Sequence, residues 1–360
     1  MAQRAKGERK KIGITGMGMV TPVGGSVEQT CASLRASISR IAASEDLKVR
    51  NQKGHKAPVV CGSVAGVTDG QRRFLRLFRM AALATKEALA HAAIAADGLR
   101  NCGLYLGLAE QDRPGLDTRA ANDLPRYLGN LLDAAGLEGR SEVFTCGHAS
   151  IFYAVRKALI DLESGKCRQA LVGCADTYLD ELTLTWLFKT DRLKTAETHK
   201  GFFPGEGAAF FVLEDEAEAT RRKVDFISRI GGIAIAIEPN TIYSEEPCKG
   251  EGLTTCVYQT LASVQDGFPK PSLTLSDLNG ERYRALEWGL VVSRIPLPLE
   301  SGANVWHPAD CMGDAGSATG AINVCVATVA MRKGYANSPS ALVWGASDYG
   351  DRGSCIVQQN

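Results

Sequence analysis

A short turn at Cys146–Ala149 carries a cysteine and a histidine where a helix is predicted to begin. Val143–Thr145, before the turn, has the composition of a strand, and apolar side chains recur at helical spacing after it. The first N–H groups of a helix have no partner within the helix, and its dipole favours negative charge there. Such a turn could hold an acyl oxyanion or a thioester carbonyl beside Cys146 or His148.

The composition is that of an ordinary globular protein. The 360 residues are 45% hydrophobic and 22% charged, which suffices for one large core or two fused halves. The net charge of +1 gives no indication of binding to nucleic acid. No apolar run reaches the roughly 20 residues that a bilayer requires, so membrane insertion is not expected. The basic segment at residues 1–11 lacks the apolar stretch of a signal peptide.

The eleven cysteines are scattered, several of them within apolar runs. This pattern predicts buried, reduced thiols and a cytoplasmic location. No two cysteines have the CxxC spacing, and the chain has only five histidines, so neither a zinc site nor any other metal is predicted. No cofactor is predicted either, because GMGMV after the first strand lacks the GxGxxG spacing of a dinucleotide-binding turn.

Strands and helices are predicted to alternate along the chain. The first strand, Lys11–Thr15, is followed by a glycine-rich turn at residues 16–25, and Ser26 has the type and position of a helix N-cap. A long helix at Arg72–Ala96 begins with a basic cluster of four arginines. This cluster is expected to be a solvated face, with docking of an acidic carrier protein as the alternative. The alternation predicts a layered α/β fold with a largely parallel sheet.

Two stretches of the chain resemble each other. ASIFYAVRKALIDLESGK followed by QALVGCAD matches GSATGAINVCVATVAMRKGYA followed by SALVWGASD in the order of turn, helix, loop and strand. Such an echo predicts a duplication, with related turns facing each other across a pseudo-two-fold axis. A site between the halves would then combine the turns at Cys146–Ser150 and Gly313–Gly320. The predicted halves are residues 1–215 and 216–360 of one compact domain.

Five segments together resemble the β-ketoacyl synthases, which have the thiolase fold. They are IGITGMGMVTPVG, VGCADT, GFFPGEGAAFFVLE, LSDLNG and MGDAGSATGA. The resemblance implies a five-layered αβαβα architecture, a dimer, and acyl thioesters of acyl carrier protein or coenzyme A as substrates. In that family a cysteine at a helix N-terminus takes the acyl group, and two histidines assist decarboxylation and condensation. The cysteine needs a lowered pKa, which a helix N-terminus supplies.

The resemblance places His148, rather than Cys146, at the nucleophile position. Family members have a serine two residues after the nucleophile, an alanine six after it and a glycine seventeen after it. Counted from position 148, these are Ser150, Ala154 and Gly165. Cys146 would take the nucleophile position only if the turn held a two-residue insertion.

The other catalytic positions also depart from the family pattern. Asn279 stands at the first histidine, Asp314 at the second, and Ala309 at the lysine that usually precedes the second histidine by five residues. Glu206, in PGEGAA, is expected to hold backbone N–H groups in its turn. The residues predicted to bind substrate are Ser150, Gly313, Gly316, Ser347 and Gly350.

Three functions remain open from the sequence. The first is a subunit without standard condensation activity, in a homodimer or a heterodimer with an active ketosynthase. The second is an acyltransferase, thioester hydrolase or decarboxylase in which Asp314 orients His148 as a base. The third is an ordinary 3-oxoacyl synthase that uses Cys146.

Overall fold

The computed structural model describes residues 10–50, 56–117, 119–134, 136–195, 197–264, 270–296 and 305–360. This part of the chain forms twelve strands and ten α-helices. Most of the basic N-terminal segment lies outside the described residues. The strands are β1 (Ile12–Val20), β2 (Ile41–Arg50), β3 (Lys56–Gly62), β4 (Cys102–Gly107), β5 (Ser141–Phe144), β6 (Gln169–Thr177), β7 (Glu206–Asp215), β8 (Ser228–Ile237), β9 (Leu273–Leu275), β10 (Val305–Trp306), β11 (Ser340–Ala346) and β12 (Asp351–Gln359). The helices are α1 (Val27–Arg35), α2 (Arg73–His91), α3 (Ala120–Leu131), α4 (Ser150–Glu163), α5 (Glu181–Lys189), α6 (Glu216–Arg222), α7 (Glu251–Ala262), α8 (Arg282–Arg294), α9 (Ala309–Met312) and α10 (Ala318–Arg332).

Ten of the strands form a sheet in which one pattern occurs twice. The strand order is β10-β9-β11-β12-β8-β1-β7-β6-β4-β5, while β2 and β3 pair separately. From the centre outward, the first half has the order β1, β7, β6, β4, β5 and the second half the order β8, β12, β11, β9, β10. If only the strands of this sheet are counted, each half has its first strand at the centre, followed by its fifth, fourth, second and third. The halves meet where β1 and β8 pair over two residue pairs, Gly13 with Arg229 and Ile14 with Ser228. The predicted duplication is therefore visible in the topology. The boundary at residues 215 and 216 falls between β7 and α6 and stays a prediction.

The helices complete five layers. Apolar residues of α2 and α3 pack on the outer face of the first half-sheet, and those of α7 and α8 on the outer face of the second. Between the half-sheets lie α4 and α10, which both contribute to the largest apolar core together with strands of both halves. The order of layers is αβαβα, as the resemblance implied. None of the described helices is both long and apolar enough to cross a membrane.

The prediction of a largely parallel sheet was wrong, because the sheet is mixed. β4 pairs in parallel with β5 and β6, and β9 pairs in parallel with β10 and β11. The remaining pairings within the sheet are antiparallel. Four residues join β11 to β12, and a connection this short permits only an antiparallel pair, since parallel neighbours need a crossover of a dozen residues or more.

The glycine-rich turn predicted at residues 16–25 is wrong in its first half, because β1 continues to Val20. The chain turns only at residues 21–24, where Thr21 and Gly24 exchange backbone hydrogen bonds. Gly16 and Gly18 allow α2 to lie close to the strand. A Cβ atom at Gly18 would lie 2.0 Å from the carbonyl oxygen of Ala84, and one at Gly16 would lie 2.4 Å from that of Ala88. The glycines therefore serve helix–strand packing. The N-cap prediction is confirmed, since Ser26 Oγ accepts the N–H of Gln29.

Candidate active-site region

The turn before α4 is shaped by Gly147 and Ser150. Gly147 has a φ of +53°, and a Cβ atom there would lie 1.8 Å from the Glu110 carboxylate, so the position requires glycine. Ser150 Oγ accepts the N–H of Cys146 and donates to the carbonyl of Leu108, both at 2.8 Å. These contacts fasten the turn to the end of β4. His148 is consequently held inside the protein, with 1% of its surface exposed.

His148, Asp314 and Asn279 meet in one hydrogen-bonded cluster, although they are far apart in the sequence. His148 Nε2 lies 2.8 Å from Asp314 Oδ1. Asn279 Nδ2 donates to Asp314 Oδ2 at 2.7 Å. Asp314 Oδ1 also accepts the N–H of Gly316 at 2.8 Å, which fixes the carboxylate against the start of α10. The direct contact between the imidazole and the carboxylate leaves no space for an acyl group between them.

Two buried arginines extend this cluster. Arg284 donates to Asp277 at 2.5 Å and to Asp348 at 3.1 Å, and its Nη2 lies 3.3 Å from Nδ1 of His148. Arg192 donates to Asp348 at 2.6 Å and to Glu281 at 2.7 and 2.9 Å. Each of these charged side chains is at most 9% exposed. The region is therefore a packed ionic network.

The network controls the charge of His148 and Asp314. Burial disfavours the charged imidazolium, but the Asp314 carboxylate outweighs this effect and raises the pKa of His148. Burial likewise opposes charge on Asp314, yet His148 and Arg284 hold the pKa of that carboxyl well below its usual value. Asp348 behaves in the same way, because Arg192 and Arg284 lower its pKa against the effect of burial.

Neither charge state of His148 has a free lone pair. In the neutral ring, Nε2–H donates to Asp314 while Nδ1 accepts from Arg284, which can only donate. In the imidazolium both ring nitrogens carry protons. A nucleophile needs a lone pair directed at its substrate, so attack on a thioester would first require Arg284 to move away.

We expect the free energy of unfolding to fall as the pH drops below about 4. Carboxylates whose pKa is lowered by folding, such as Asp314 and Asp348, stabilise the protein above the unfolded-state pKa of about 3.9. That stability is lost progressively as the pH falls through the folded-state pKa. Urea unfolding between pH 7 and pH 3 would measure it. Asp314→Asn should flatten the pH dependence, whereas Asp310→Asn, with a side chain 68% exposed, should leave it unchanged. If the free energy of unfolding depended on pH with the same slope in both variants, the lowered pKa of Asp314 would be contradicted.

Cys146 lies beside this network and is partly exposed. Burial and the carboxylates of Asp351 and Glu110 raise the pKa of its thiol to about 12. The thiolate is the nucleophilic form of cysteine, so a pKa this high opposes nucleophilic attack at neutral pH. The N-terminus of a helix would instead lower the pKa of a thiol. All eleven cysteines of the chain are free.

The residues predicted to bind substrate are engaged within the protein. Ser347 Oγ donates to Glu110 at 3.2 Å and accepts the N–H of Tyr349. Gly313, which follows α9, donates its N–H to the carbonyl of Ala309, and the carbonyl of Gly350 accepts the N–H of Glu238. Ser150 lies in the first of the two turns, Gly313 and Gly316 in the second, and Ser347 and Gly350 in the loop between β11 and β12. Their roles in binding substrate remain predictions.

Glu206 begins β7 and is completely buried. Its carboxylate accepts the N–H of Val64 at 2.9 Å and the hydroxyls of Thr68 and Thr177 at 2.7 and 2.9 Å. It also pairs with Arg76 at 2.5 Å. Glu206 was predicted to accept backbone N–H groups of its own turn. It does accept a backbone N–H, but that of Val64, which is distant in the sequence. Arg76 is consequently buried, so placing all four arginines at the start of α2 on a solvated face was wrong for this residue.

Sequence reasoning missed Arg284, Arg192 and Asp348. Arg284 lies near the start of α8, where an arginine is ordinarily solvated. Asp348 lies in the loop between β11 and β12, next to Ser347. A single sequence offers no signal that distinguishes these buried ions from surface charges. The helix at residues 282–294 and the loop after β11 bring them together only in the folded chain.

The arrangement of inner helices defines the class of protein. One inner helix from each half, α4 and α10, begins beside the cluster of His148 and Asp314, as in a thiolase-like fold with its site between the halves. The family model for the N-terminal domain of β-ketoacyl synthases matches residues 9–219. This chain therefore belongs to the β-ketoacyl synthase family.

Solved ketosynthase structures resemble the whole chain at low sequence identity. One is a type II polyketide synthase acyl carrier protein in complex with its ketosynthase bound to the hexaketide, with a TM-score of 0.79, 14% identity, and coverage of 98% of this chain and 100% of the other. The ishigamide ketosynthase/chain length factor has a TM-score of 0.78 and 17% identity, with coverage of 98% of this chain and 100% of the other. An oxazolomycin ketosynthase domain from Streptomyces albus JA3453 has a TM-score of 0.81 and 13% identity, with coverage of 98% of this chain and 75% of the other. A search of curated proteins finds no significant match.

Proposed function

We propose that this chain is a subunit without condensation activity that forms a heterodimer with an active ketosynthase. The observation that carries the proposal is the state of His148 at the predicted nucleophile position. Its two ring nitrogens contact Asp314 and Arg284, and the side chain is 1% exposed. Condensation in this family needs a nucleophile that carries the acyl group, and His148 in this setting supplies none.

The other two predicted catalytic positions support the same function. Asn279 is an amide, and Asp314 is a carboxylate held in its charged form. Two imidazoles assist malonyl decarboxylation in the family. Here the Asn279 amide already donates to Asp314 and Glu281, and a charged carboxylate repels a developing enolate rather than stabilising it. The buried ionic network around them fits a structural role, since it fills the region between the inner helices.

The relatives support the choice of partners. One solved relative is described as an acyl carrier protein in complex with its ketosynthase, and another as a ketosynthase/chain length factor. By analogy, this chain would bind acyl chains carried by an acyl carrier protein, in polyketide or fatty-acid synthesis, with coenzyme A thioesters as the other candidate. A homodimer is the competing assembly. Eleven free cysteines fit the reducing cytoplasm.

The contact between His148 and Asp314 favours one further candidate function. A histidine hydrogen-bonded to a buried carboxylate is the pair that acts as a general base in hydrolases. An acyltransferase, thioester hydrolase or decarboxylase could use it if Arg284 moved away from Nδ1. The third function, an ordinary synthase using Cys146, has less support because the pKa of that thiol is raised.

A thioester assay separates these three functions. The purified chain is incubated with acyl coenzyme A and with acyl-loaded carrier protein, and both turnover and covalent adducts are measured by mass spectrometry. We expect no turnover, no adduct, and no difference between the wild type and His148→Ala. Turnover that His148→Ala abolishes would establish the general-base function instead. An adduct that Cys146→Ala removes would establish the ordinary synthase.

Co-purification tests the assembly. The tagged chain is expressed together with a ketosynthase that retains its catalytic cysteine, and the mass of the complex is measured. We expect a complex with one copy of each chain, in which condensation requires the partner's cysteine and survives His148→Ala in this chain. A homodimer that excludes the ketosynthase would overturn the proposal.

A further inference from the structure

A second buried polar cluster lies outside the network of His148. Its members are Glu238, which follows β8, Cys248 in the loop before α7, and Glu287 in α8. One potential ligand atom from each of the three residues lies within 4.8 Å of the other two. Glu287 is fully buried, Glu238 is 1% exposed and Cys248 is 8% exposed. Within the described part of the chain, this is the cluster of acidic and thiol groups close enough to hold a metal ion.

Each carboxylate of this cluster keeps one oxygen without a hydrogen-bond partner. Glu238 Oε2 accepts the N–H of Gly252 at 2.7 Å, and Glu287 Oε1 accepts from Arg352 Nε at 2.7 Å. Glu238 Oε1 and Glu287 Oε2 are buried, and no donor in the described structure reaches either of them. A buried carboxylate oxygen without a partner is costly, so two of them beside a thiol indicate that something else binds there.

The charges of the cluster do not balance. The two carboxylates face one cation, because Arg352 is the arginine that pairs with Glu287 among the described ion pairs. One negative charge therefore stays uncompensated in a buried place. A divalent cation bound together with the Cys248 thiolate would bring the sum to zero, because it adds two positive charges and the thiolate adds one negative charge.

We infer that Glu238, Cys248 and Glu287 bind one divalent cation, of which Zn²⁺ fits the ligands best. Zinc accepts both thiolate and carboxylate ligands, at about 2.3 and 2.0–2.2 Å, and commonly takes four of them. In a tetrahedral site with these bond lengths the ligand atoms lie about 3.3–3.8 Å apart. The potential ligand atoms of the cluster lie within 4.8 Å of one another, so side-chain shifts of up to about 1 Å would close the cluster around the metal. A water molecule would complete the coordination. Calcium and magnesium are less suitable, because they prefer oxygen ligands throughout.

The site would fasten the second half of the chain. It joins the end of β8, the loop before α7 and the helix α8, and through Arg352 it touches β12. No zinc site was predicted from the sequence, because the chain lacks closely spaced cysteines and histidines. These three ligands are separated by ten and 39 residues, and two of them are glutamates.

Cobalt provides the test, because a cobalt–thiolate bond absorbs in the near ultraviolet. The full chain, freed of metal by a chelator and kept reduced, is titrated with Co²⁺. We expect one equivalent to bind with this absorption, Zn²⁺ to displace it, and Zn²⁺ to raise the melting temperature. Cys248→Ser and Glu238→Gln should each lose the absorption, whereas Cys167→Ser should keep it. Cys167 is a matched control, since it is 7% exposed and lies outside the cluster.

A second measurement covers variants that fail to fold. In the unaltered chain, Zn²⁺ should slow alkylation of Cys248 and leave Cys146 unaffected, as mapped by mass spectrometry. The inference is overturned if the folded wild type binds no metal, or if the absorption persists in Cys248→Ser. It is also overturned if infrared spectra show a protonated carboxyl group that Glu238→Gln removes and that Zn²⁺ leaves in place, because a shared proton would then be the occupant.

Discussion

Replacing Arg284 with methionine is expected to lower the free energy of unfolding by about 3–5 kcal/mol, since breaking a buried ion pair leaves an uncompensated charge. Arg284 is 2% exposed and pairs with Asp277 and Asp348 while also donating to the carbonyl of Ala346. Methionine has a similar length and fills much of the same space, so the loss reports charge more than packing. Urea unfolding with a two-state fit provides the measurement.

Arg282→Met is the matched control for this prediction. Arg282 begins the same helix but is exposed, and exposed substitutions change stability by about 0.5 kcal/mol or less. Combining Arg284→Met with Asp277→Asn should recover part of the loss, because the second change removes the unpaired charge. A loss below about 1 kcal/mol for Arg284→Met, or strict additivity of the two changes, would mean that the network is not electrostatically coupled.

The second large effect is expected for Glu206→Ala, with a loss of about 3–5 kcal/mol in the free energy of unfolding. The change leaves Arg76 buried without its carboxylate and removes the acceptor for Val64, Thr68 and Thr177. Buried donors without partners add about 1–3 kcal/mol each when water cannot reach them. Urea unfolding of the variant and the wild type measures the total loss in the free energy of unfolding.

Glu206→Gln separates the contributions of charge and hydrogen bonding. The amide keeps one acceptor oxygen for the N–H of Val64 but loses the charge that pairs with Arg76. It should therefore fall between the wild type and Glu206→Ala. Glu216→Ala serves as the control, because that side chain is 54% exposed and pairs only at the surface with Lys11. If Glu206→Ala and Glu216→Ala had similar effects, Glu206 would not be the structural anchor described above.

The local signals in the sequence predicted much of the fold correctly. The alternation of strands and helices, the N-cap at Ser26 and the echo between the segments around α4 and α10 all reflect short-range patterns of apolar and capping residues. The contact of His148 with Asp314 also followed from this echo, because equivalent turns of a duplicated fold face each other. These features could be predicted because each of them is determined by residues that are close together in the sequence.

The features that could not be predicted depend on contacts distant in sequence. Gly16 and Gly18 resemble turn residues, and only the approach of α2 reveals their packing role. Arg76 and Arg284 have the same sequence surroundings as solvated arginines. Their burial depends on Glu206 and Asp348, which lie 130 and 64 residues away. The direction of each strand in the sheet depends likewise on how the connections cross in space.

The shared central core has a consequence for dividing the chain. The largest apolar cluster includes Ile151 and Phe152 of α4 alongside Ile322 and Val324 of α10, together with strands of both halves. A cut after Asp215 would uncover the inner surface of each helix, because each lies against the opposite half. Severed fragments should stay unstructured alone and assemble only when mixed, which makes this junction suited to a split reporter whose signal reads out fragment complementation.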